Sequence, residues 1–409
     1  MMAAKFLNEE TNSTSLIAMN NIHVATAKTA RNINRRIVLN LIREHQPISR
    51  ADLSRRSSLQ RSTTSSITEQ LISERWVTTG TMGDQPRGRK PALLHLNGDR
   101  LGIIGIDIRP QETTMGLADA GMRFLAQESM PTGGDSRRLI AGLCERLQKM
   151  IKSHPHIAVE GIGVAVPGQI EFARHIFPNQ GWNFIDVRQQ LETAMGLAVE
   201  LENAANACAV AEILTNSHLD GVRNLIVVTV SDAIGVGMIL NGQLVRGPNG
   251  RSGDFGHVTI QKDGPVCQCG NRGCFEVYAS NAAAVRHFNE IGSNTSHLKP
   301  ILEPDFDLLL RMYETGNRQA GETLDRMAHF LGIGLLLMIT GLAPDAIVIA
   351  GEVTKAWGRV SSIVNEVVRR RLPTKVSTRI LPGASGIHSR MRGPISLVLQ
   401  KHFGSLPAI

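Results

Sequence analysis

Near the start of the chain the apolar residues show no regular spacing, and after residue 30 they follow helical spacing. Residues 1–30 are rich in Asn, Thr, Ser and Ala, which predicts a mobile arm. From there the apolar positions fall on one face of a helix, formed by Ile33, Ile37, Val38, Leu41 and Ile42. Pro47 ends this region, because proline lacks the backbone N–H that a helix interior requires.

Two further helices are predicted after this proline. Ser49, with Asp52 three residues later, resembles a capping box and starts a short helix that ends near Ser57. A third helix runs from about Arg61 to Glu74, and four-residue spacing marks one of its faces, with Thr63, Ile67 and Leu71. The three helices together predict a small helical head.

A two-stranded wing with a basic tip is predicted next. A glycine-containing stretch follows Trp76, and the basic run 86–91 and the apolar run 93–96 come after it. The tip carries Arg87 and Arg89 between prolines, a slim and extended segment that suits a narrow minor groove. Three helices and a wing describe a winged helix-turn-helix domain.

From Leu101 the pattern changes to apolar strands that alternate with helices, which predicts an α/β body. The predicted strands are Ile103–Ile108, Gly161–Val166, Leu225–Val230, Val236–Leu240 and Ala346–Ile349. Helices are predicted over 204–214 and 332–339. The longest apolar run, 330–343, is too short to span a bilayer and ends at a proline, so a buried helix and no membrane partner are expected.

The charge is concentrated in the head. Residues 1–100 hold 15 Lys/Arg and 8 Asp/Glu, so +7 of the net charge of +8 lies there. A basic module on a neutral body indicates a polyanionic partner, although a merely solvated basic surface is the alternative. The third helix starts with short polar side chains that can contact phosphates and bases. The candidate DNA contacts are Gln60, Arg61, Ser62, Thr63, Thr64, Arg87 and Arg89.

Three of the five cysteines lie within eight residues, and a histidine precedes the first of them by ten. His257, Cys267, Cys269 and Cys274 supply the four ligands that a closed tetrahedral zinc site needs, and neighbouring glycines allow tight bends. One structural zinc per chain is predicted. The alternative is three reduced thiols in a glycine-rich loop. Clustered rather than paired cysteines, and no visible signal peptide, indicate the cytoplasm.

Five stretches of the body resemble the ROK family, whose name stands for repressors, open reading frames and sugar kinases. They are Gly161-Ile-Gly-Val-Ala-Val-Pro-Gly168, Pro178-Asn-Gln-Gly-Trp182, Glu202-Asn-Ala-Ala-Asn206, Gly253-Asp-Phe-Gly-His257 and Cys267 through Glu276. They follow the family's order, and the head matches its repressor branch. The resemblance covers about residues 31–400. It implies an actin-like ATPase body of two lobes around a cleft, with zinc on His257 and the three clustered cysteines.

The resemblance also shows where kinase chemistry is lost. The family's kinases place a general-base Asp where this chain has Ala204, and a methyl group cannot accept a proton. The three phosphate loops correspond to 107–110, 231–233 and 350–352, where Asp232 and the loss of glycines disfavour a triphosphate. No catalytic residue and no bound ATP are therefore expected. ATP binding through other contacts is the alternative.

The sugar side of the cleft is better preserved. By position, Asn203, His257 and Glu276 match the family's sugar ligands, and Asp254 stands where Glu is usual. Amide, carboxylate and imidazole groups offer the donors and acceptors that sugar hydroxyls need. The resemblance implies that His257 binds zinc through one ring nitrogen and faces the sugar with the other. The alternative is that these groups form hydrogen bonds only with one another and bind no sugar.

These observations predict an α/β protein with an N-terminal winged helix-turn-helix followed by a two-lobed actin-like ATPase body. The expected divisions are an arm at 1–30, the head at 31–97, and lobes at 98–218 and 219–409. The expected function is a transcription regulator of carbohydrate metabolism, acting as a homodimer or homotetramer on an inverted-repeat operator under control of a sugar or sugar phosphate. Two alternatives stay open: an active sugar kinase with an accessory DNA-binding domain, and a repressor controlled by a protein partner.

Overall fold

A three-helix head with a small sheet precedes a body of two sheets. The computed structural model describes residues 27–82, 92–133, 135–168, 184–247, 250, 252–295, 305–372, 377–383 and 390–403. The head consists of α1 (Ala27–His45), β1 (Ile48–Ser49), α2 (Arg50–Ser57), α3 (Arg61–Ser73), β2 (Val77–Met82) and β3 (Ala92–Leu96). Its strands pair in the order β1-β3-β2 and are antiparallel. The tip of the predicted wing, with Arg87 and Arg89, lies outside the described residues.

The later head helices begin and end close to the predicted positions, but α1 differs in its start and in its buried face. The Ser49 hydroxyl accepts the backbone N–H of Asp52 at 3.2 Å and caps α2 as expected. Helix α1 already begins at Ala27, inside the predicted arm. Val38, Leu39 and Ile42 are fully buried, whereas Ile37 is 37% exposed, so its predicted place on the core face is wrong.

The first lobe of the body is built on a five-stranded sheet in the order β6-β5-β4-β7-β8. Its elements are β4 (Leu101–Ile108), β5 (Glu112–Asp119), β6 (Phe124–Pro131), α4 (Ser136–Lys152), β7 (Ala158–Val166), α5 (Phe184–Met195), β8 (Val199–Asn203) and α6 (Ala204–Thr215). Strands β4, β5 and β6 are antiparallel, and β4, β7 and β8 are parallel. Strand β4 is central and buried along its whole length.

The second lobe repeats this topology, with the strand order β11-β10-β9-β12-β13. The second half of the described chain contains β9 (Leu225–Val230), β10 (Ile234–Leu240), β11 (Gln243–Leu244), α7 (Glu276–Ala279), α8 (Asn281–Thr295), α9 (Phe306–Glu314), α10 (Arg318–Leu342), β12 (Ala346–Ala350), α11 (Trp357–Arg371), β13 (Arg379–Pro382) and α12 (Arg392–Phe403). Helix α10 is long and apolar enough to cross a membrane by composition. However, Leu324, Met327, Leu331 and Leu335 are fully buried in the core of this lobe.

Each half of the body contributes one helix to the other half. Helix α6 follows the first sheet in sequence but packs against β9 and β10 of the second sheet. Helix α12 comes last in the described chain but packs against β4 and β7 of the first sheet. The two helices also contact each other, which joins the lobes. The expected division at residue 218 separates the two sheets, but the segment 219–409 ends in a helix of the first lobe.

Candidate functional site

A cleft lies between the lobes where the two crossing helices meet the sheets. Asp107, at the end of β4, lies on one side of it, and Thr229 and Gly351 of the second lobe lie on the other. Ala204 and Cys208 of α6 contribute to its floor, and Arg390 lines it just before α12. Carboxyl ends of parallel strands thus meet a helix pair, the usual position of a ligand crevice in an open α/β sheet.

Arginines engage the aspartate at the end of β4. The Nε of Arg390 donates to Oδ2 of Asp107 at 3.0 Å, and the Arg109 Nε lies 3.8 Å from the same oxygen. Arg109 also donates to Glu112 at 2.8 Å. Asp107 is only 3% exposed, so these cations compensate for its burial. The position that corresponds to a phosphate loop in the family's kinases is therefore held by ion pairs.

The two other loops on the nucleotide side are also internally bonded. The Ser231 N–H donates to the Ala233 carbonyl at 3.0 Å, and the Asn281 N–H donates to the Ser231 carbonyl at 2.7 Å. In the third loop, the Glu352 carboxylate accepts the Asn281 side-chain amide at 3.1 Å. These groups, with the exposed Asp232 on the turn, place carboxylates where a triphosphate would need donors.

The predicted sugar ligand Asn203 lies at the N-terminus of α6. Its side-chain oxygen accepts the backbone N–H of Ala205 at 2.8 Å, and its amide donates to the Gly168 carbonyl at 2.6 Å. Helix α6 approaches β10 closely, since a Cβ on Gly237 would overlap the Ala205 carbonyl. The turn Asp254–His257 packs against the same strand. Helix α6, which Asn203 caps, and this turn therefore both contact β10.

Glu276 and His257, two other predicted sugar ligands, are brought together. The His257 Nδ1 lies 3.4 Å from Oε1 of Glu276, and the Cys267 thiol donates to the same oxygen at 2.9 Å. Glu276 is buried, whereas His257 and Asp254 are exposed. Glu276 therefore connects His257 to the cysteine cluster.

An ion pair between the lobes lies beside Asn203. Arg246, on the loop after β11, donates through Nε to Oε2 of Glu202 at 2.7 Å. The other carboxylate oxygen of Glu202 accepts the Asn206 side-chain amide at 3.1 Å and the Asn203 N–H at 3.0 Å. Glu202 is buried and Arg246 is largely exposed. The pair thus fixes the start of α6 against a loop of the second lobe.

The four predicted metal ligands converge. One donor atom from each of His257, Cys267, Cys269 and Cys274 lies within 4.8 Å of all the others. The Cys269 and Cys274 sulfurs are 3.7 Å apart, and the Cys267 sulfur is 3.6 Å from His257 Nδ1. Tetrahedral zinc, with bonds of about 2.3 Å to sulfur and 2.0 Å to nitrogen, separates two sulfurs by about 3.8 Å and sulfur from nitrogen by about 3.5 Å. The donor set and its spacing fit zinc.

The loop around the cluster is shaped by one close approach. Gly273 has φ of 67°, and a Cβ there would overlap the Gln261 carbonyl. Only glycine tolerates both conditions, which allows the chain to fold back between Cys267 and Cys274. Burial, and then the hydrogen bond to the Glu276 carboxylate, raise the pKa of the Cys267 thiol. Without a cation this thiol stays protonated.

The predicted DNA contacts on α3 separate into two groups. Gln60, Arg61 and Ser62 are exposed, and Thr63 is half-buried. Thr64 is fully buried, and its hydroxyl donates to the Gln60 carbonyl at 3.1 Å. Its prediction as a DNA contact is wrong, because the core face of α3 is formed by Thr64, Ile67, Thr68 and Leu71. No acidic residue lies in the first turn of α3.

The body and the head both have known relatives. The sequence profile of the ROK family matches residues 103–401. The chain belongs to the ROK family. It is 30% identical to the xylose repressor of Bacillus subtilis (strain 168) over 387 residues, 93% of this chain and 98% of that protein. It is 25% identical to the DNA-binding transcriptional dual regulator NagC of Escherichia coli (strain K12), over 81% of this chain and 84% of that protein.

Solved structures of ROK proteins confirm the predicted fold class. A ROK family transcriptional regulator, a homolog of the E. coli Mlc protein, matches with a TM-score of 0.78 and 23% identity, over 92% of this chain and 97% of that chain. A ROK family glucokinase from Streptomyces griseus, in complex with glucose and AMPPNP, matches with a TM-score of 0.64 and 24% identity, over 73% and 99%. The regulator's structure covers the head as well as the two-lobed body.

Kinases of the ROK family also match in sequence, so membership of the family does not decide whether this chain phosphorylates a sugar. The glucokinase of Halalkalibacterium halodurans is 29% identical over 270 residues, 62% of this chain and 81% of that protein. Ala204 and the ion pairs on the nucleotide side of the cleft are the features that argue against kinase activity in this chain.

Sugar phosphorylation is expected to be undetectable when the protein is incubated with ATP, magnesium and common hexoses. The missing base costs roughly 100- to 10,000-fold. Ala204→Asp alone should not restore turnover, because Arg390 still holds Asp107 and Asp232 still occupies a loop that corresponds to a phosphate loop of the family's kinases. A coupled ADP-release assay measures this, with a ROK glucokinase as the positive control. Robust phosphorylation by the unmodified chain would show that the kinase alternative is right.

Several candidate residues were not found from the sequence. Arg390 and Arg246 belong to no motif, and only the folded chain brings them to Asp107 and Glu202. Arg55 and Arg56 are exposed at the end of α2, just before α3. The excess of positive charge in the head was the one signal that pointed to these two residues.

Proposed function

We propose that this ROK protein is a sequence-specific transcription regulator of carbohydrate metabolism, a repressor, whose operator binding is controlled by a sugar or sugar phosphate. The observation that carries the proposal is the combination of a winged head with a cleft that lacks kinase groups. The head presents Gln60, Arg61 and Ser62 on α3. The xylose repressor and the DNA-binding transcriptional dual regulator NagC are similar to 93% and 81% of this chain, which supports a shared role in transcription.

The cleft supports sugar binding without chemistry. Asn203, Asp254, His257 and Glu276 lie around β10 and the cysteine loop, and offer amide, carboxylate and imidazole groups to sugar hydroxyls. Asp254 is one methylene shorter than the family's usual Glu, which alters the fit on that side. D-xylose is the first effector to test, because several relatives are named for it, and N-acetylglucosamine is the second.

One structural zinc belongs to the proposal. His257 Nδ1 and the three clustered sulfurs would hold it, which leaves Nε2 of the same ring for the sugar side. Zinc would stabilise the thiolates. It would also fix the orientation of the imidazole, because a metal-bound histidine is generally held by a second contact at its other ring nitrogen. No ATP is required.

The protein acts as a homodimer or homotetramer in the cytoplasm. A dimer places two α3 helices in successive major grooves, so the operator is an inverted repeat with half-sites about one or two helical turns apart.

Saturating effector is expected to change operator affinity by about 5- to 150-fold, a coupling of roughly 1–3 kcal/mol. Operator titrations with and without D-xylose, N-acetylglucosamine and their phosphorylated forms measure the effect. Operator DNA must change effector affinity by the same factor, because coupling is reciprocal. Glu276→Gln should remove the response, and Glu290→Gln, an exposed carboxylate on α8, is the matched control. A ligand that binds the cleft yet leaves operator affinity unchanged would favour control by a protein partner.

A further inference from the structure

Helix α12 reaches from the cleft to the DNA-binding head. Arg390, which lines the cleft, lies two residues before its first residue, and Phe403, its last residue, contacts the head. Its 12 residues, with a rise of about 1.5 Å each, extend about 18 Å. Helix α6 also lines the cleft and contacts the head, where its Leu214 carbonyl accepts from Arg43 at 3.5 Å, whereas α12 places two aromatic rings against the head.

The cleft end of α12 is held between the two lobes. Arg390 is bonded to Asp107 of the first lobe, and together with Arg392 it lines the cleft opposite Thr229 and Gly351 of the second lobe. Burial opposes the charge of Arg390, but the carboxylates of Asp107 and Glu352 outweigh it and hold the pKa of this guanidinium above its ordinary value. Because Arg390 faces carboxylates of both lobes, we expect a change in the gap between the lobes to alter the forces on the start of α12.

The middle of α12 packs too tightly to absorb such a change. A Cβ on Gly163 of β7 would overlap the Pro394 carbonyl, and a Cβ on Gly105 of β4 would lie 2.9 Å from Ile395. Gly393 faces α6 equally closely, with 3.2 Å between its hypothetical Cβ and that of Ala207. Close-packed interiors transmit displacement rather than damping it. The helix is therefore expected to shift as one body.

The head end of α12 is anchored by aromatic and polar contacts. The His402 ring lies 4.0 Å from the Trp76 ring, and Phe403 meets Trp76 edge-on at 5.6 Å. The Asn40 amide of α1 donates to the Phe403 carbonyl at 3.0 Å, and the Arg43 guanidinium lies 5.0 Å above the Phe403 ring. These contacts join α12 to the first helix of the head and to Trp76, three residues after the end of α3.

Trp76 connects this joint to α3. It is 1% exposed, and its backbone N–H donates to the Leu71 carbonyl in the last turn of α3 at 2.9 Å. Leu71 and Trp76 share one continuous hydrophobic core with Val398 and Phe403 of α12. Any shift of α12 therefore reaches the end of the helix whose first turn carries the predicted base contacts.

We propose that α12 is the physical link through which the state of the cleft sets the position of the DNA-binding head. The link begins at the Arg390–Asp107 pair at the cleft, and it ends where the rings of His402 and Phe403 contact Trp76. The inference rests on the proposed function, because it explains how an occupied cleft would change operator affinity. It differs from that function in assigning the signal to one helix rather than to the zinc loop or the lobe surfaces.

Hydrogen–deuterium exchange of the full chain tests the link at a distance from the substitution. Asp107→Asn weakens the ion pair with Arg390 and is expected to speed hydrogen exchange at 61–76. Exchange in the core of α10 in the second lobe should stay unchanged. Glu112→Gln, which removes a partner of Arg109 on the neighbouring strand, is the matched control and should leave 61–76 unchanged. Asp107→Glu, which keeps the charge, should restore slower exchange and serves as the test should Asp107→Asn fold poorly.

Trp76 fluorescence supplies a second readout. With Trp182→Phe and Trp357→Phe, Trp76 is the remaining tryptophan of the three in the chain. Asp107→Asn in this background is expected to increase quenching of Trp76 by acrylamide, because its stacking with His402 loosens. If a folded Asp107→Asn protein exchanges at 61–76 and quenches like its parent, the proposed link is wrong.

A third experiment, with D-xylose, distinguishes failure of this inference from failure of the proposed function. Xylose that binds by calorimetry should alter Trp76 quenching in the parent protein, and this response should be lost in Asp107→Asn. Failure of xylose to bind would remove it as the effector but leave the link intact, because the Asp107→Asn comparison needs no ligand. Xylose that binds and controls DNA affinity without any change at Trp76 would overturn the link and leave sugar control standing.

Discussion

Cys269→Ser is expected to leave the purified protein without zinc and to unfold the second lobe at a lower temperature. The substitution removes one of four donors that lie within 4.8 Å of one another. Structural zinc binds small domains with an apparent free energy of about 10–16 kcal/mol, so its loss should exceed the effect of an ordinary substitution. Elemental analysis should give about one zinc per parent chain, as one tetrahedral site requires, and calorimetry should give a lower unfolding temperature for the variant.

Cys144→Ser is the matched control for that substitution. Cys144 is half-buried on α4 of the first lobe, and it belongs to no cluster of metal-binding side chains in the described part of the chain. This control should keep its zinc and most of its stability. Freshly prepared parent protein that contains no zinc, although no chelator was used, would rule out the metal site.

The metal cluster could be predicted because its ligands are close in sequence. Cys267, Cys269 and Cys274 lie in one loop, and the return of the chain to His257 is short. The spacing could not say which ring nitrogen faces the sulfurs. The fold places Nδ1 of His257 at 3.6 Å from Cys267, and it also brings Glu276 against that thiol. The contact with Glu276 depends on α7, so the pattern of cysteines gave no sign of it.

The helices of the head could be predicted from capping and apolar spacing, but their buried faces could not be fixed. Thr63 and Thr64 are equally polar in sequence, and only packing against the other head helices decides that Thr64 is buried. On α1, Leu39 rather than Ile37 is buried for the same reason. A helix with adjacent apolar or polar residues allows two faces that differ by about 100°, and tertiary contacts select one.

The body's strands were predicted where they are apolar on both faces, and missed where they are not. Strand β6 (Phe124–Pro131) has mostly half-buried and exposed residues, because it is the edge of its sheet. The crossing of α6 and α12 between lobes could not be predicted either, because it depends on contacts far apart in sequence. The same crossing brings Arg390 to Asp107, 283 residues away, and so fills the position of a phosphate loop.

Replacing both Arg87 and Arg89 with alanine is expected to weaken operator binding by about 2–6 kcal/mol, roughly 30- to 25,000-fold. Each arginine that reads a groove contributes on the order of 1–3 kcal/mol. Removing two positive charges from the DNA interface should also lower the slope of log affinity against log salt by about 1.8. The operator for this titration is an inverted repeat selected from a random DNA library, and binding is measured at several salt concentrations.

Arg137→Ala with Arg138→Ala is the matched control, because both arginines are exposed on α4 of the body and the change in net charge is the same. This control should change neither the affinity nor the salt slope by a comparable amount, since long-range attraction alone is screened within about 10 Å at 0.1 M salt. Arg61→Ala, on the exposed start of α3, should instead relax base preference at one position in each half-site. If the Arg87/Arg89 variant binds like its parent at every salt concentration, the wing does not enter the minor groove, and α3 alone must account for the affinity.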